Sequence, residues 1–447
     1  MNFVIIGGDA AGMSAASRAK RKNKELNVIV FEKTYDVSYS ACGMPYNIAD
    51  PARDMDELIV RRAEVFREKQ GIDLKVAHEV KKIDPKAKKI YGTSIQGEFE
   101  QPFDKLLIAT GARPKSLNIP GTELDGVFSL KSLEHGRQIK KYIKEKSVKQ
   151  AVIIGMGYIA LEMCEALRAL DIEVSMIKPN PRFLPKIDQE LAERIKEVVL
   201  SHGVKLYAGS SVNGIERKGE KLLVLSDDFS LDGDMVLIAV GVAPNSELAQ
   251  DAGLELGVNN AISVDRYFRT SNRDIYAAGD CADTYNVITG KKIYHPLALL
   301  ANRGGWMVAD NIVGKEKEFK GIVATSVFKV FELQVASTGI NEKQAQDAGF
   351  DPVSVTINSR SRAHAHPGSK TISVHMVADK KTGQLLGTQM VGEEGVAHRI
   401  NSIAVALHAN MSVDEYFGCD LAYAPPFSPV WDPTLTAANV LKKKLGD

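Results

Sequence analysis

The chain opens with the stretch FVIIGGDAAG, residues 3–12, in which four apolar residues lead into a turn of small residues. A short all-apolar run of this kind is typical of a parallel strand that is buried on both faces. The small-residue segment MSAASRAKR, residues 13–21, follows the turn and predicts a helix. Strand, tight turn and helix in this order predict the first unit of an α/β fold with a parallel sheet.

A second strand is predicted at residues 28–31 and ends at Glu32, twenty residues after the last glycine of the turn. A dinucleotide-binding fold places a carboxylate near this position, where it binds ribose hydroxyls. The turn departs from the pattern GxGxxG because Asp9 replaces the middle glycine and Gly8 lies one place early. Gly7, Gly8 and the free N–H groups of the helix still predict a pyrophosphate site. A glycine turn without a ligand is the alternative.

The same pattern returns at residues 151–177, where the strand AVII, the turn GMGYIA, a helix and the strand EVSMI follow one another. The chain is therefore predicted to contain two nucleotide-binding units. Lys178 stands where the first unit has Glu32, and an ammonium group favours a 2′-phosphate over a bare ribose hydroxyl. NADPH is then a candidate beside NADH, and a solvated Lys178 that accepts either nicotinamide is the alternative.

Three further strands end in glycine, at residues 103–111, 234–245 and 275–280. The first two mark crossings between domains, and the third presents Asp280 to the polyol or phosphate of a cofactor. Beyond about residue 320 the sequence changes to alternating strands with helices between them, which predicts an α+β domain. The predicted fold is α/β, with two Rossmann-like nucleotide-binding domains and a C-terminal α+β domain.

Length and composition agree with a globular protein of about three domains. The 447 residues include 57 basic and 56 acidic side chains, so the formal charge of +1 does not favour nucleic-acid binding. No stretch approaches the roughly 18 apolar residues that cross a bilayer, and the first residues do not read as a secretory leader. We therefore expect a cytoplasmic protein that binds neither nucleic acid nor membrane.

The cysteine pattern limits the thiol chemistry to one residue at a time. Cys42, Cys164, Cys281 and Cys419 are each more than a hundred residues apart. No CxxC motif exists, which excludes a sequence-local dithiol and a zinc knuckle. No metal site is predicted.

The motifs together resemble the FAD-dependent pyridine nucleotide-disulfide oxidoreductases over essentially the whole chain. The resemblance is carried by both glycine turns, Glu32, SACGMPY at 40–46, ATG at 109–111, VGVAPN at 240–245 and YAAGD at 276–280. A single cysteine about ten residues after the ribose carboxylate is similar to the single-cysteine branch. That branch contains coenzyme A-disulfide reductases, NADH oxidases and peroxidases, and NAD(P)H-dependent persulfide or polysulfide reductases.

The resemblance implies FAD on the first unit, NAD(P)H on the second, and a homodimer built by the C-terminal domain. It implies a discontinuous FAD domain of residues 1–112 and 241–320, an inserted NAD(P)H domain of residues 113–240, and a dimerisation domain of residues 321–447. The residues predicted to contact FAD are Gly7, Gly8, Ala10, Ala11, Gly12, Glu32, Lys33, Thr110, Gly111, Gly279 and Asp280. The residues predicted to contact NAD(P)H are Gly155, Gly157, Tyr158, Ile159, Glu162, Lys178 and Gly241.

Cys42 is the predicted redox-active residue. It follows the extended segment YDVSYS and precedes a predicted helix, whose N–H groups and dipole would lower the pKa of the thiol. The resemblance implies charge transfer between the thiolate and the flavin. A small buried cysteine without chemistry is the alternative.

Two residues of the second glycine unit have two interpretations each. Tyr158 resembles an aromatic lid over the flavin that moves when the nicotinamide arrives, and it could instead pack at the strand–helix junction. Glu162 could bond near the nicotinamide amide, or act only as a favourable acid in the first helical turn.

The C-terminal domain supplies three more catalytic candidates. Tyr423 resembles a tyrosine that reaches across the dimer toward the partner's cysteine, where a phenol could protonate a leaving thiolate or bind a sulfur intermediate. Plain interface packing is the alternative. His364 and His366 replace an aromatic pair, and their spacing predicts one face of an extended strand, from which they could donate protons to a partner's site. Surface placement is the alternative.

The predicted substrate site combines cations with the cysteine segment. Arg18, Arg21, Lys22, Arg61 and Arg62 could bind the phosphates of coenzyme A, with Ser40 and Tyr423 at the same site. A solvated, charged helix end is the competing explanation for the cations in the first helix.

The predicted function is electron transfer from NAD(P)H through FAD to a disulfide, persulfide or polysulfide sulfur at Cys42. Coenzyme A disulfide or persulfide is the favoured substrate, and a coenzyme A adduct on Cys42 is also considered. An NADH oxidase that uses a Cys42 sulfenic acid is the alternative enzyme, although Ala10 stands where peroxidases and several oxidases of this family have a histidine. A redox-sensing protein that binds both cofactors and turns over slowly is the alternative from another class.

Overall fold

A computed structural model describes residues 1–446 of the chain. Residues 2–277 contain two separate parallel five-stranded sheets, and the C-terminal part forms an antiparallel one. The predicted fold class is therefore confirmed. Among the described residues, no helix is long and apolar enough to cross a membrane.

The first sheet has the strand order β18 (Ile275–Ala277), β7 (Lys105–Ile108), β1 (Asn2–Ile6), β2 (Asn27–Phe31) and β3 (Asp73–Lys75), so a strand from much later in the chain completes it. The elements before the first crossing are β1 (Asn2–Ile6), α1 (Ala10–Lys22), β2 (Asn27–Phe31), α2 (Met44–Ile48), α3 (Ala63–Gln70), β3 (Asp73–Lys75), β4 (His78–Asp84), β5 (Lys89–Ser94), β6 (Gly97–Pro102), β7 (Lys105–Ile108) and β8 (Ala112–Pro114). Short 3₁₀ turns span Ala41–Gly43 and Met55–Leu58.

The second sheet has the order β12-β11-β10-β16-β9 and lies wholly in the middle of the chain. Its region contains β9 (Val127–Phe128), α4 (Leu133–Lys146), β10 (Gln150–Ile154), α5 (Tyr158–Ala169), β11 (Glu173–Lys178), α6 (Gln189–Ser201), β12 (Lys205–Ala208), β13 (Val212–Lys218), β14 (Lys221–Ser226), β15 (Ser230–Gly233) and β16 (Met235–Ile238). Strand β17 (Val242–Pro244) then pairs with β8, so the two crossings run side by side.

The chain returns to the first sheet after this crossing. The returning elements are α7 (Glu247–Asp251), a 3₁₀ turn (Val258–Asn260), β18 (Ile275–Ala277), β19 (Thr284–Tyr285), β20 (Lys292–Ile293) and α8 (Ala298–Ile312). Helices α1 and α8 pack closely because small residues face each other: a Cβ on Gly305 would come within 2.2 Å of the Ala11 carbonyl oxygen. The exact domain limits stay a prediction.

The C-terminal region forms an antiparallel sheet of order β21-β22-β25-β24-β23. Its elements are β21 (Ser326–Val330), β22 (Leu333–Gly339), α9 (Glu342–Ala348), β23 (Pro352–Arg360), β24 (Thr371–Asp379), β25 (Leu385–Gly392), α10 (Val396–His408), α11 (Val413–Phe417) and α12 (Pro433–Leu445). Helices α10 and α12 cover one face of the sheet. Strand β25 is buried along its whole length, which shows that both faces of the sheet are covered there.

One hydrophobic cluster joins the three regions. The buried side chains of Met44 and Ile48 in α2 belong to the same cluster as Ile153 of the second sheet and Phe328 of β21. The segment that carries Cys42 is therefore packed against helices α4 and α5 of the second unit.

Candidate functional site

The first glycine turn lies at the carboxyl end of β1. Gly7 has φ +109°, and a Cβ there would come within 2.2 Å of the Ala109 carbonyl oxygen, so only glycine fits. A Cβ on Gly12 would come within 1.9 Å of the Gly7 carbonyl oxygen. Gly279 lies beside Ala11, because its Cβ would be 3.0 Å from the Ala11 Cβ. The structure thus brings together four residues predicted to contact FAD, at the edge where parallel dinucleotide-binding sheets hold their ligands.

Glu32 points its carboxylate at this turn. Its Oε2 atom accepts a hydrogen bond from the Gly8 N–H at 2.8 Å, and its Oε1 atom accepts from the backbone and hydroxyl of Thr34. Ala10 is the first residue of α1, and Lys33 is exposed beside Glu32. This geometry suits a dinucleotide whose ribose reaches Glu32 and whose pyrophosphate reaches the helix N-terminus.

Asp280 lies at the same edge and has an unexpected partner. The Lys131 ammonium, from the segment before α4, binds the Asp280 carboxylate at 2.8 Å. Thr110 donates its hydroxyl hydrogen bond to the Asn245 carbonyl at 2.6 Å, which ties the two crossings together. Gly111 has φ +68° and open space around its missing side chain. The residues predicted to contact FAD therefore form a cradle that fits this cofactor.

The second glycine turn has the same backbone. Gly155 has φ +122°, and its Cβ would come within 2.3 Å of the Ala239 carbonyl oxygen. Gly157 has open space where its side chain would be, and Ile159 is exposed. Gly241 has φ +107° at the start of the second crossing. This edge of the second sheet offers the open surface that a nicotinamide dinucleotide needs.

Tyr158 does not pack only at the strand–helix junction. Its ring stacks on Phe328 of the C-terminal sheet, with the ring centroids 4.5 Å apart and the planes 25° from parallel. Glu165, two turns further along α5, binds the Lys329 ammonium and accepts the Phe331 N–H at 2.8 Å. Strand β21 therefore fixes the helix that begins with Tyr158.

Lys178 is buried, with 8% of its surface exposed, so the alternative of a solvated lysine is wrong. Its ammonium donates to the Arg182 carbonyl, and burial lowers the pKa of Lys178. The side chain of Arg182 itself is exposed in the same loop. A role for Lys178 at a 2′-phosphate stays a prediction, and the loop offers Arg182 as a second cation.

Cys42 lies in the 3₁₀ turn that leads into α2, as the sequence predicted for a residue before a helix. The preceding segment is held by a backbone hydrogen bond from Ser40 to Leu58 at 2.8 Å. The Lys140 ammonium holds the end of α2 by donating to four acceptors, among them the Asn47 and Asp50 carbonyls. The thiol is exposed, so the alternative of a buried cysteine is wrong.

The expected activation of Cys42 by the helix is also wrong for the protein alone. Desolvation by the surrounding protein raises the pKa of the thiol, although its surface is open to solvent. The carboxylates of Glu162, Asp280 and Asp9 raise it further, and the Lys131 ammonium opposes them. Helix α2 has only five residues, so its dipole is small against this negative surrounding.

Glu162 reaches the segment that contains Cys42. Its Oε1 atom accepts a hydrogen bond from the Tyr46 hydroxyl at 3.1 Å, which connects α5 with α2. Burial raises the pKa of Glu162, and the Tyr46 hydrogen bond opposes that change. Glu162 is therefore more than a helix-terminal acid, because it influences the charge state of Cys42.

His364 and His366 lie in a turn between β23 and β24, so the predicted extended strand is wrong. The sequence RAHAHPG contains proline and glycine, which favour a turn over a continued strand. The turn is bonded to the Tyr423 segment, since the Ala363 N–H donates to the Pro425 carbonyl at 3.1 Å. The structure thus joins the three C-terminal candidates on one surface. His364 and Tyr423 are exposed there.

The predicted phosphate-binding cations fall into two groups. Arg18 forms a two-bond ion pair with Asp310 of α8, at 2.7 and 2.6 Å, and lies over the Trp306 ring. Arg21 and Lys22 are exposed at the end of α1. Arg61 and Arg62 are exposed. They lie beside the segment that precedes Cys42, since the neighbouring Val60 N–H donates to the Ser38 carbonyl at 2.9 Å. Ser40 is exposed in that segment.

Three residues of the site escaped the sequence analysis as functional candidates. Lys131 and Phe328 lie in segments without any motif, and Tyr46 lies inside SACGMPY without a predicted role. Their partners Asp280, Tyr158 and Glu162 are more than a hundred residues away. Only Tyr46 had a sequence signal, namely its place one helical turn after Cys42.

Two glycine turns at the carboxyl ends of parallel sheets, with an exposed thiol at their junction, define a FAD-dependent NAD(P)H oxidoreductase. Residues 1–310 match the pyridine nucleotide-disulphide oxidoreductases, and residues 325–434 match the dimerisation domain of the same proteins. The chain belongs to the pyridine nucleotide-disulphide oxidoreductase family, in its coenzyme A-disulfide reductase-like branch.

Three relatives are similar over essentially the whole length of this chain. The CoA-dependent NAD(P)H sulfur oxidoreductase of Pyrococcus abyssi is 40% identical, with 98% of each chain covered. The NADH oxidase of Methanocaldococcus jannaschii is 34% identical, with all of each chain covered. The solved NAD-dependent persulfide reductase from A. fulgidus is 39% identical with a TM-score of 0.96, over 99% of this chain and 83% of that one.

Proposed function

We propose that this protein transfers electrons from NAD(P)H to a disulfide, persulfide or polysulfide through Cys42. The favoured acceptor is coenzyme A disulfide or coenzyme A persulfide. The observation that carries the proposal is the position of Cys42, an exposed thiol in a segment that bonds to the first glycine turn through Ser38 and to helix α5 of the second unit through Tyr46. The names of the relatives from Pyrococcus abyssi and A. fulgidus, a sulfur oxidoreductase and a persulfide reductase, support a sulfur acceptor.

The cofactors would be held by the two glycine turns. Gly7, Gly8, Glu32 and Asp280 would hold FAD, and the turn at Gly155 would hold the nicotinamide dinucleotide. When bound, FAD supplies the two-electron redox chemistry that the side chains of the protein lack. The protein positions both ligands and holds the thiol beside them.

The sulfur chemistry begins at Cys42. Its thiolate attacks one sulfur of the acceptor, the sulfur–sulfur bond of the acceptor breaks, and a mixed disulfide forms on Cys42. The departing sulfur leaves as a thiolate and takes a proton. Two electrons that originate from NAD(P)H then break the mixed disulfide, release the second thiol and restore the Cys42 thiolate.

The proton for the leaving sulfur is proposed to come from the C-terminal surface of a second copy of the chain. Tyr423 is 49% exposed, and Phe427, Val430 and Trp431 nearby are also exposed apolar side chains. An apolar group of this size on a surface is typical of a protein–protein interface. A homodimer that covers this surface would bring Tyr423, with His364 and His366, toward the active site of its partner.

Coenzyme A is proposed because of the cations near the thiol. Arg61 and Arg62 are exposed beside the segment that precedes Cys42, and Arg21 and Lys22 are exposed on α1. Guanidinium and ammonium groups bind phosphates by charge-assisted hydrogen bonds. Arg18 is held by Asp310, so it contributes to this surface only as part of that ion pair.

The test is to replace Cys42 with serine and to measure NAD(P)H oxidation with coenzyme A disulfide as acceptor. We expect turnover to fall by at least about a hundredfold, because the nucleophile is lost. FAD should remain bound with an unchanged amount per chain. Cys419→Ser is the matched control, since Cys419 is a partly exposed thiol in the C-terminal domain and should leave turnover unchanged.

Intact mass before and after mild reduction gives an independent result. Loss of one coenzyme A from the wild type, but not from Cys42→Ser, would show a thiol carrier at Cys42. Unaltered turnover of Cys42→Ser would contradict the proposal.

An oxygen-reducing enzyme is the second candidate, favoured by the relative from Methanocaldococcus jannaschii that carries the name NADH oxidase. A Cys42 sulfenic acid would serve this reaction. Ala10 argues against it, because no imidazole stands at this position of the turn. Consumption of one O2 for every two NADH in the absence of a sulfur acceptor would favour the oxidase, because two NADH supply the four electrons that reduce O2 to water through the sulfenic acid.

A further inference from the structure

Asp9 occupies a position of the first glycine turn where the fold does not require a side chain. Its backbone has φ −109° and ψ −151°, and the matching Gly157 of the second turn has φ −87° and ψ −172°. Neither angle lies in the left-handed region, and Gly157 has open space around it. The backbone therefore accepts glycine or aspartate at this position. The backbone conformation does not explain why the residue is Asp9, so we consider the groups that surround its carboxyl group.

Asp9 does not act as a helix cap. It precedes α1, but its side chain makes no capping hydrogen bond. Its Oδ1 atom instead accepts the Tyr39 N–H at 3.3 Å, in the segment that leads to Cys42. The carboxyl group is thus turned from the helix axis toward the space between the turn and that segment.

The charges around Asp9 are mainly negative. Glu32 at the end of β2 and Asp280 after β18 face it with carboxylates. The cation that opposes them is Lys131, which is already bound to Asp280 at 2.8 Å. The Tyr39 phenol and the Cys42 thiol also lie within electrostatic reach, and neither supplies a positive charge.

These surroundings favour the neutral acid. Burial is the largest cause and raises the pKa of Asp9 to about 6, with Glu32 and Asp280 contributing in the same direction. A phosphate at this turn would add negative charge, which disfavours the carboxylate further. A protonated carboxyl group can donate a hydrogen bond to a phosphate oxygen, whereas a carboxylate can only repel it.

We propose that Asp9 binds the dinucleotide as a protonated acid that donates a hydrogen bond to a phosphate oxygen, so that binding of FAD takes up a proton. This inference rests on the assignment of the first glycine turn to FAD and not on the identity of the electron acceptor. Asp9 is therefore a residue that makes cofactor retention depend on pH.

The sign of the dependence follows from proton linkage. Below about pH 6, Asp9 is protonated with and without FAD, so the affinity is constant. Above that pH the free protein loses the proton, and binding must restore it. The dissociation constant then rises by up to about tenfold for each pH unit, until the bound form also loses the proton.

The test measures FAD retention by the full-length holoprotein at equilibrium. Protein is dialysed to a fixed dilution at several values between pH 5 and pH 8.5, and free FAD is determined by its fluorescence. We expect the dissociation constant of the wild type to rise at least about fivefold from pH 6 to pH 8. Asp9→Asn keeps a hydrogen-bond donor without a titrating proton, so its dissociation constant should change less than about twofold.

Two further variants keep the result interpretable. Asp73→Asn removes an exposed carboxylate at the start of β3 and should show the wild-type pH dependence. Asp9→Gly copies Gly157 and should also lose the pH dependence, which provides the test if the asparagine variant does not fold.

The same slope in the wild type and in either Asp9 variant would overturn the proposal. A loss of FAD from a folded Asp9→Asn protein at every pH would also overturn it, because a neutral hydrogen-bond donor would then fail to replace Asp9. No sulfur acceptor enters this experiment, so its outcome is independent of the Cys42→Ser result.

Discussion

The two glycine turns share one backbone and differ in their charges. Gly7 and Gly155 have φ values of +109° and +122°, and both approach a carbonyl oxygen so closely that a Cβ would come within 2.2 and 2.3 Å. Their N–H groups bond to the ends of the neighbouring strands at the same distance, 2.8 Å. The two units therefore share the backbone contacts that constrain the strand–turn–helix geometry.

The side chains at two matching positions differ between the units. The first unit has Asp9 and an acid at the strand end, Glu32, whereas the second has Gly157 and a base, Lys178. The fold does not require these residues, because Gly157 has open space and the strand ends are similar in both units. The comparison shows that backbone contacts set the fold of each unit, while a few side chains set the charge that its ligand meets.

The largest expected effect comes from adding one methyl group to each unit. Gly12→Ala places a Cβ 1.9 Å from the Gly7 carbonyl oxygen, which must move, whereas Gly157→Ala meets nothing within 4 Å. We expect Gly12→Ala to lower the free energy of unfolding by about 3 kcal/mol or more and to reduce FAD content. Thermal unfolding and flavin absorbance of the purified proteins measure both.

Gly157→Ala is the comparison variant in the second unit, where the position that matches Gly12 is already an alanine, Ala160, and its melting temperature should stay within about 2 °C of the wild type. Equal destabilisation by both substitutions would contradict the steric difference between these two positions. A Gly12→Ala protein with full FAD content and the wild-type melting temperature would contradict the predicted clash with the Gly7 carbonyl oxygen.

The sequence was sufficient for the parts of each unit that depend on neighbouring residues. The apolar runs at β1 and β10, the glycines after them and the small residues of α1 carry local signals for strand, turn and helix. Cys42 was also found from its motif, and its exposure agrees with the predicted role as far as access is concerned. These features have local signals in the sequence, although the carbonyl oxygens that exclude a side chain at Gly7 and Gly155 belong to the distant residues Ala109 and Ala239.

The contacts that determine charge could not be predicted, because their partners are distant in sequence. Arg18 was predicted as a phosphate ligand, yet its partner Asp310 lies 292 residues away. The sequence analysis expected helix α2 to lower the pKa of the Cys42 thiol. The carboxylates of Glu162 and Asp280, which come from other elements, raise that pKa instead. A sequence pattern carries no information about which distant charges the tertiary fold brings together.

A smaller effect is expected at the strand end of the second unit. Lys178 is buried and holds the Arg182 carbonyl, while the Arg182 guanidinium is exposed in the same loop. We expect Arg182→Ala to lower kcat/KM for NADPH by about tenfold and to change the value for NADH by less than twofold. Steady-state kinetics with both nicotinamides measure the ratio.

Lys178→Met keeps the length of the buried side chain and removes its ammonium. If Lys178 positions the loop, this variant should lower the NADPH preference less than Arg182→Ala does. An equal decrease of kcat/KM with NADH and NADPH in Arg182→Ala would contradict a role of Arg182 at the 2′-phosphate. The positive charge at this strand end would then not determine which nicotinamide is bound.

The smallest expected effect concerns the fifth residue after the matching positions, which is Ser14 in the first unit and Glu162 in the second. Ser14 donates to Asn302 on α8, whereas Glu162 accepts from Tyr46 and raises the pKa of the Cys42 thiol. Glu162→Gln keeps an acceptor for Tyr46 and removes the charge, so the thiolate becomes more favourable. We expect Cys42 to react with iodoacetamide about two- to fivefold faster at pH 7.

The pH profile separates this electrostatic effect from a change in packing. In the wild type Glu162 becomes neutral in acid, so the alkylation rates of the two proteins should converge as the pH falls and differ most where Glu162 is ionised. All proteins carry Cys419→Ser, so that the remaining exposed thiol is Cys42. Ser14→Ala is the position-matched control and should leave the rate unchanged. A constant ratio at every pH would show that Glu162 acts on access to the thiol rather than on its charge, and the second unit would then influence Cys42 only through packing.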